Sequence, residues 1–114
     1  ASDYFDIYFA IACTSSNGEI IIEYDLDCTG IMSSIGASTI VIEEKSGGRW
    51  VEDETYYGSI SNGMLDSGRA SFIGSISHDG TPGREYRAVV TFYAEDNYGD
   101  DSRTLTTNSV TAEW

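Results

Sequence analysis

Proline, cysteine and basic side chains are scarce in this 114-residue chain, and each shortage removes a class of explanation. A single proline leaves the backbone free to form long hydrogen-bonded ladders with few enforced breaks. Two cysteines, Cys13 and Cys28, permit at most one disulfide, and no Cys-x-x-Cys pair offers zinc its usual spacing. Six basic residues against nineteen acidic ones give a net charge of −13, a field that repels phosphate backbones and anionic membrane surfaces. Nucleic acid is set aside as a partner, and so is membrane insertion. No apolar run approaches the roughly 18 residues of a membrane helix, and no charged leader precedes an apolar stretch.

What is present favours strands. At this length one core suffices, since such a chain buries roughly 65% of the surface it exposes when unfolded, and residues 1–114 are expected to form one domain. Eight tyrosines, twelve glycines and many serines and threonines lean toward strands and turns. Acidic residues are spread through alternating segments, which fits a solvated face, with a cation or a basic partner as the functional alternative. The opening Ala1-Ser2-Asp3, without methionine, suits both a mature exported chain and a trimmed one. Export is the expectation.

Alternation with period two marks the strands. Phe5, Ile7, Phe9, Ile11 and Cys13 form one apolar series, and Ile20, Ile22, Tyr24, Leu26 and Cys28 form the next. Ser15-Ser16-Asn17-Gly18 supplies a turn between them, so a first hairpin is expected. If Cys13 faces Ile20, all ten residues face inward and the two sulfurs lie roughly 26 Å apart at 3.3 Å per residue, beyond disulfide reach. Two buried free thiols are expected, the alternative being a kinked first strand that folds Cys13 over Cys28.

A second hairpin joins Thr39–Lys45 to Arg49–Tyr56 through Ser46-Gly47-Gly48. Residues Tyr57 to Ser67 read as a loop or short edge piece. Ala70, Phe72, Gly74 and Ile76 alternate in a further strand, with Gly74 marking a bulge or close packing. After the turn Asp79–Gly83, Tyr86, Ala88, Val90, Phe92 and Ala94 form an inward set, while Val89, Thr91 and Tyr93 face the other way. A polar loop, Glu95 to Asp101, leads to a last strand from Arg103 to Glu113. Helices are expected to be absent or one turn long. About seven strands with frequent turns point to an all-β, two-sheet antiparallel β-sandwich.

Pro82-Gly83-Arg84-Glu85-Tyr86 resembles the approach to strand F of fibronectin type III modules, where a tyrosine corner pins the crossover between sheets. The resemblance gives Pro82 and Tyr86 structural roles, with the Tyr86 hydroxyl bonded to upstream backbone. Ala88 stands where antibody-type domains carry a cysteine, so the immunoglobulin intersheet bridge is missing. Cys28–Gly36, Ser46-Gly47-Gly48-Arg49-Trp50 and Tyr86–Val90 also resemble an uncharacterised family of short exported proteins of Gram-positive, often gut-dwelling, bacteria. That resemblance spans roughly Ala12 to Ala112 and implies secretion and a sandwich fold, without an activity.

Candidate chemistry is thin. His78 sits beside Asp79 in an expected turn with no nucleophile motif nearby, so it reads as a turn residue. Asp25 and Asp27 share one strand face, which fits either paired-carboxylate chemistry or an ordinary solvated face. Glu95, Asp96, Asn97, Asp100 and Asp101 carry oxygens suited to calcium, but Gly99 is misplaced for a helix-loop-helix calcium loop; a polar turn is the plainer interpretation. Aromatics exceed what a small core holds: Tyr4, Tyr8, Trp50, Tyr56, Tyr57, Tyr93, Tyr98 and Trp114 include exposed ones, which suit sugar stacking or protein contact. Val41, Val89 and Tyr93, with Trp50 nearby, are the candidate interaction strip. A noncatalytic, cofactor-free extracellular or cell-surface interaction module is the leading expectation. A carbohydrate-binding module and a calcium-dependent adhesion domain follow.

Overall fold

The computed structural model describes residues 3–114. Its strands are β1 (Phe5–Thr14), β2 (Glu19–Met32), β3 (Ser34–Ser46), β4 (Arg49–Tyr57), β5 (Leu65–Asp66), β6 (Arg69–Asp79), β7 (Glu85–Asp96), β8 (Gly99–Thr106) and β9 (Val110–Thr111). Seven are long and two are two-residue pieces, so the expected strand number holds for the long ones. No helix occurs among the described residues, and none is long and apolar enough to cross a membrane.

Two antiparallel sheets form the sandwich. One has the order β1-β2-β6; the other has β4-β3-β7-β8, with β5 paired to β3 and β9 to β7. Alternation drives the packing, because period-two strands present every second side chain to the facing sheet. From β2 come Ile20, Ile22, Tyr24 and Leu26; from β3 come Ile40 and Ile42; from β7 come Tyr86, Ala88, Val90, Phe92 and Ala94, all buried. Tyr24 stacks on Phe72 and donates its hydroxyl to the Met64 carbonyl at 3.0 Å. Gly74 is required by that stack, since a Cβ there would lie 2.6 Å from both rings.

Tyr86 fixes the crossover into β7. Its hydroxyl accepts the Thr81 N–H at 2.7 Å and donates to Glu44 on β3 at 2.7 Å, tying the turn after β6 to the opposite sheet. Pro82 occupies that turn, and the Gly83 N–H donates to Ala112 near β9. Both structural assignments are thereby given a geometry.

The first hairpin departs from expectation. Phe5 pairs with Cys28 as anticipated, but Asp6 is an extra residue that shifts the ladder, so Ile7 pairs with Asp27 and Cys13 with Ile21. A slip of one residue turns every later side chain to the other face. Tyr8, Ala10 and Ala12 point inward, while Ile7, Phe9, Ile11 and Cys13 point outward. Tyr8 packs against Phe5 and Phe92 with ring centroids 5.8 and 5.3 Å apart. The small Ala12 lets the chain end approach, and the Asn108 amide accepts the Ala12 N–H at 2.9 Å and donates to its carbonyl at 3.0 Å. Both cysteines are free, as expected, but only Cys28 is buried; Cys13 lies half-buried on the outer face.

Two further expectations are corrected. His78 belongs to β6, because the ladder to β2 continues through Ile20↔His78 and Glu19↔Asp79, and its side chain turns inward. The segment from Glu95 to Asp101 is a tight hairpin: Asp96 pairs with Gly99, leaving only Asn97 and Tyr98 at the tip.

Candidate interaction face

Each sheet has an outer face, and the two faces differ in chemistry. On the four long strands β4-β3-β7-β8, Val41 pairs directly with Val89, as their shared outward alternation implies. Trp50 lies beside Lys45 across the second hairpin. The Arg87 guanidinium sits 4.4 Å above the Trp50 ring and donates from Nε to Glu43 at 2.7 Å. Tyr93 donates to Glu95 at 3.1 Å. Val41, Trp50, Val89 and Tyr93 are all half-buried in this lattice of cross-strand contacts. Val41 and Val89 face each other, Trp50 packs under Arg87 and Tyr93 bonds Glu95, so each residue of the anticipated strip is partly covered within its own sheet.

On the three-stranded sheet the outer face is laid out in rows set by the register. Ile7, Asp27 and Ser71 form one row; Phe9, Asp25 and Ile73 the next; then Ile11, Glu23 and Ser75; and last Cys13, Ile21 and Ser77. An apolar ridge therefore runs along β1, a carboxylate row along β2, and a serine row interrupted by Ile73 along β6. Ile7, Phe9, Ile11 and Ile73 are 56%, 47%, 45% and 80% exposed, although each is large and apolar. Solvated faces of antiparallel sheets are normally polar, and an exposed apolar edge strand invites association. Among the described residues, Glu23, Asp25 and Asp27 take part in no ion pair. Lys45, Arg49, Arg87 and Arg103 lie on the other sheet, with Arg84 just before β7, while Arg69 opens β6. A shallow depression of about 300 Å³ opens between Glu23, Ile73, Gly74 and Ser75.

The sequence concealed this ridge because both alternating sets of β1 are apolar. Tyr8, Ala10 and Ala12 oppose Ile7, Phe9 and Ile11, and alternation alone does not say which set faces in. A strand apolar on both sides was the available signal, since it implies cover on both sides.

His78 is held from two directions where β4 and β6 approach. Its Nε2 lies 2.7 Å from Asp53 Oδ2 and its Nδ1 2.8 Å from the Tyr56 hydroxyl, with Glu54 Oε1 at 3.5 Å from Nδ1. Both ring nitrogens are thereby engaged by side chains of β4. Asp53 reaches His78 because it is the extra residue of a bulge: Ile42 pairs with Glu54 and Glu43 with Glu52. Burial, and then the charge of Glu54, push the Tyr56 phenol up to about 12. That shift keeps the phenol protonated, the opposite of what a nucleophile needs.

The carboxylates at the β7–β8 hairpin are divided by alternation. Glu95 pairs with Asp100 toward the outer face, whereas Asp101 pairs with the inward Ala94. Asp96 accepts from the Tyr4 hydroxyl at 3.1 Å and the Tyr98 N–H at 2.8 Å, and Asp101 accepts from Arg103 at 2.8 Å. Asn97 is at the tip. No group of three or more His, Cys, Asp or Glu side chains able to hold a metal ion occurs among the described residues. A depression of about 350 Å³ beside Asp96 and Asn97 is lined by Ile31, Met32, Ser33 and Gly68 among others. Asp25 and Asp27 belong to the acidic row already described.

Three aromatics are strongly exposed, Tyr57, Tyr98 and Trp114. Tyr98 tips the hairpin after β7, Trp114 approaches Gly83 before β7, and Tyr57 ends β4. They therefore occupy opposite ends and one side of the sandwich and form no row for a sugar chain. No protein-family model matches the chain, and no curated protein is significantly similar to it.

Proposed function

We propose that this chain is a noncatalytic protein-interaction module that works at the outer face of the β1-β2-β6 sheet. The observation that carries the reading is the exposed ridge of Ile7, Phe9 and Ile11, backed by Ile73. Such a surface costs solubility when open and is stabilised when covered. The strand order and the Tyr86 corner support kinship with fibronectin type III modules, a fold used widely for display of binding surfaces. Resemblance to short exported bacterial proteins supports secretion or attachment at the cell surface. The engaged ring nitrogens of His78 and the raised Tyr56 phenol support a structural role for that cluster.

Panning a random-peptide library and a glycan array in parallel tests the reading. Peptide ligands are expected, with amide-shift changes in β1, β2 and β6 on titration. Glycan ligands alone, or peptides that map to Val41, Val89 and Tyr93, would overturn it.

A further inference from the structure

We propose that the occupant of this face is a basic amphipathic helix of a partner protein, its apolar stripe on the β1 ridge and its lysine or arginine stripe over the β2 carboxylates. The inference rests on the interaction reading above and adds the identity of the partner's docking element.

Size comes first. Outward residues repeat about every 6.7 Å along a strand and strands lie about 4.8 Å apart, so four rows across three strands cover roughly 20 by 10 Å. With side-chain width added the footprint is still long and narrow, unlike the broad patch behind the roughly 800 Å² of accessible surface each globular partner buries in a standard complex. A second copy of this chain would also bring Glu23, Asp25 and Asp27 against their like, with −13 on each molecule. A single segment fits the dimensions, and about 13 residues of helix span 20 Å at 1.5 Å per residue.

Charge comes next. The three central carboxylates lie beside an apolar ridge and have no cation of their own among the described residues. A basic stripe supplies the missing charge, while the acidity of the face repels anionic lipid. The side-by-side placement of two chemistries decides the conformation. An extended segment turns only one row of side chains toward a surface, whereas a helix presents neighbouring stripes whose members at i and i+4 are about 5–6 Å apart. The open β1 edge is a poor alternative: the Asn108 amide already occupies the backbone of Ala12, and alternation leaves only Tyr8 and Ala10 with edge-facing groups beyond it. The depression between Glu23 and Ile73 is placed to receive one side chain from the far flank of the helix.

Three synthetic peptides of about 14 residues test the proposal: leucine and lysine at helical spacing, the same composition strictly alternating, and leucine and glutamate at helical spacing. Anisotropy titrations are expected to show the helical leucine–lysine peptide binding at least about tenfold tighter than either of the others. Phe9→Ser with Ile11→Thr, and separately Glu23→Gln with Asp25→Asn and Asp27→Asn, are each expected to weaken it about tenfold or more; the second set also flattens the salt dependence. Should either variant fail to fold, amide-shift mapping of the native protein decides, with changes expected in β1, β2 and β6.

Equal binding of the alternating or acidic peptide overturns the proposal. So does binding indifferent to the apolar substitutions, self-association through this face in sedimentation, or preferential binding to phosphatidylglycerol vesicles. If library peptides map to the face but the helical leucine–lysine peptide does not bind, the occupant is wrong and the interaction face stands.

Discussion

The two outer faces of the sandwich are built by the same alternation and end in opposite states. Across β4-β3-β7-β8, the outward residues find partners within the sheet: Val41 meets Val89, and Arg87 joins Trp50 to Glu43. Across β1-β2-β6, Ile7, Phe9 and Ile11 stay about half exposed beside Glu23, Asp25 and Asp27, which gain no cation among the described residues. Alternation tells where side chains point; it is the chemistry of cross-strand neighbours that decides whether a face is complete. The sheet with most of the basic residues is self-sufficient, and the sheet nearly without them is not.

The contrast between the inner and outer residues of the smaller sheet gives the largest predicted effect. Ile22 is fully buried, and Ile22→Ala is expected to cost about 2–5 kcal/mol in denaturant unfolding. The same truncation at Ile11 is expected to cost far less, and comparable losses would break the distinction. Alkaline pH should next divide inner groups from outer ones. Burial pushes the Cys28 thiol up from 9.0 to about 11 and the Tyr24 phenol up from 10.0 to about 12. Because these folded-state values lie above the unfolded ones, the stability they contribute is complete below about pH 9 and is lost as pH rises through 9 to 12. Tyr24→Phe is expected to remove part of that slope in a pH-resolved melting series, and an unchanged slope would count against the burial argument.

A smaller effect is expected on the larger sheet's outer face. Trp50→Ala removes the ring beneath Arg87 and is expected to cost about 1 kcal/mol, since exposed cation–π contacts and ion pairs are each worth about that or less. Ile73→Ser should have the least effect, within about 0.5 kcal/mol of the native protein, because its side chain is 80% exposed, and Phe9→Ser, with its ring about half exposed, should fall between it and Trp50→Ala. Losses above those of Trp50→Ala would erase the proposed difference between the faces.

Much of the sandwich was legible in sequence. The inward series Ile20–Leu26 and Tyr86–Ala94 stand as read, because polar side chains, Glu23 and Asp25 in one and Arg87 and Thr91 in the other, mark the alternate face of each, and Pro-Gly-x-x-Tyr foretold the Tyr86 bond to Thr81. What stayed hidden depends on two aspartates. Asp6 shifts the first ladder by one residue and exposes the series that alternation placed inside, and Asp53 bulges from β4 to meet His78. A bulge is one extra residue on one strand, and nothing in the local pattern of Phe5-Asp6-Ile7 or Glu52-Asp53-Glu54 distinguishes it from regular alternation. The candidate strip Val41, Val89 and Tyr93 was placed on the correct face. The pairing of Val41 with Val89 and the stacking of Arg87 on Trp50 depend on long-range strand register.

The orientation of β1 decides whether the interaction face exists, and isoleucine methyl resonances report it directly. With a soluble paramagnetic agent, the methyls of Ile7, Ile11 and Ile73 should broaden strongly while those of Ile20, Ile22, Ile40 and Ile42 stay sharp. Protection of Ile7 and Ile11 to the level of Ile22 would place the first strand in the unbulged register and remove the interaction face.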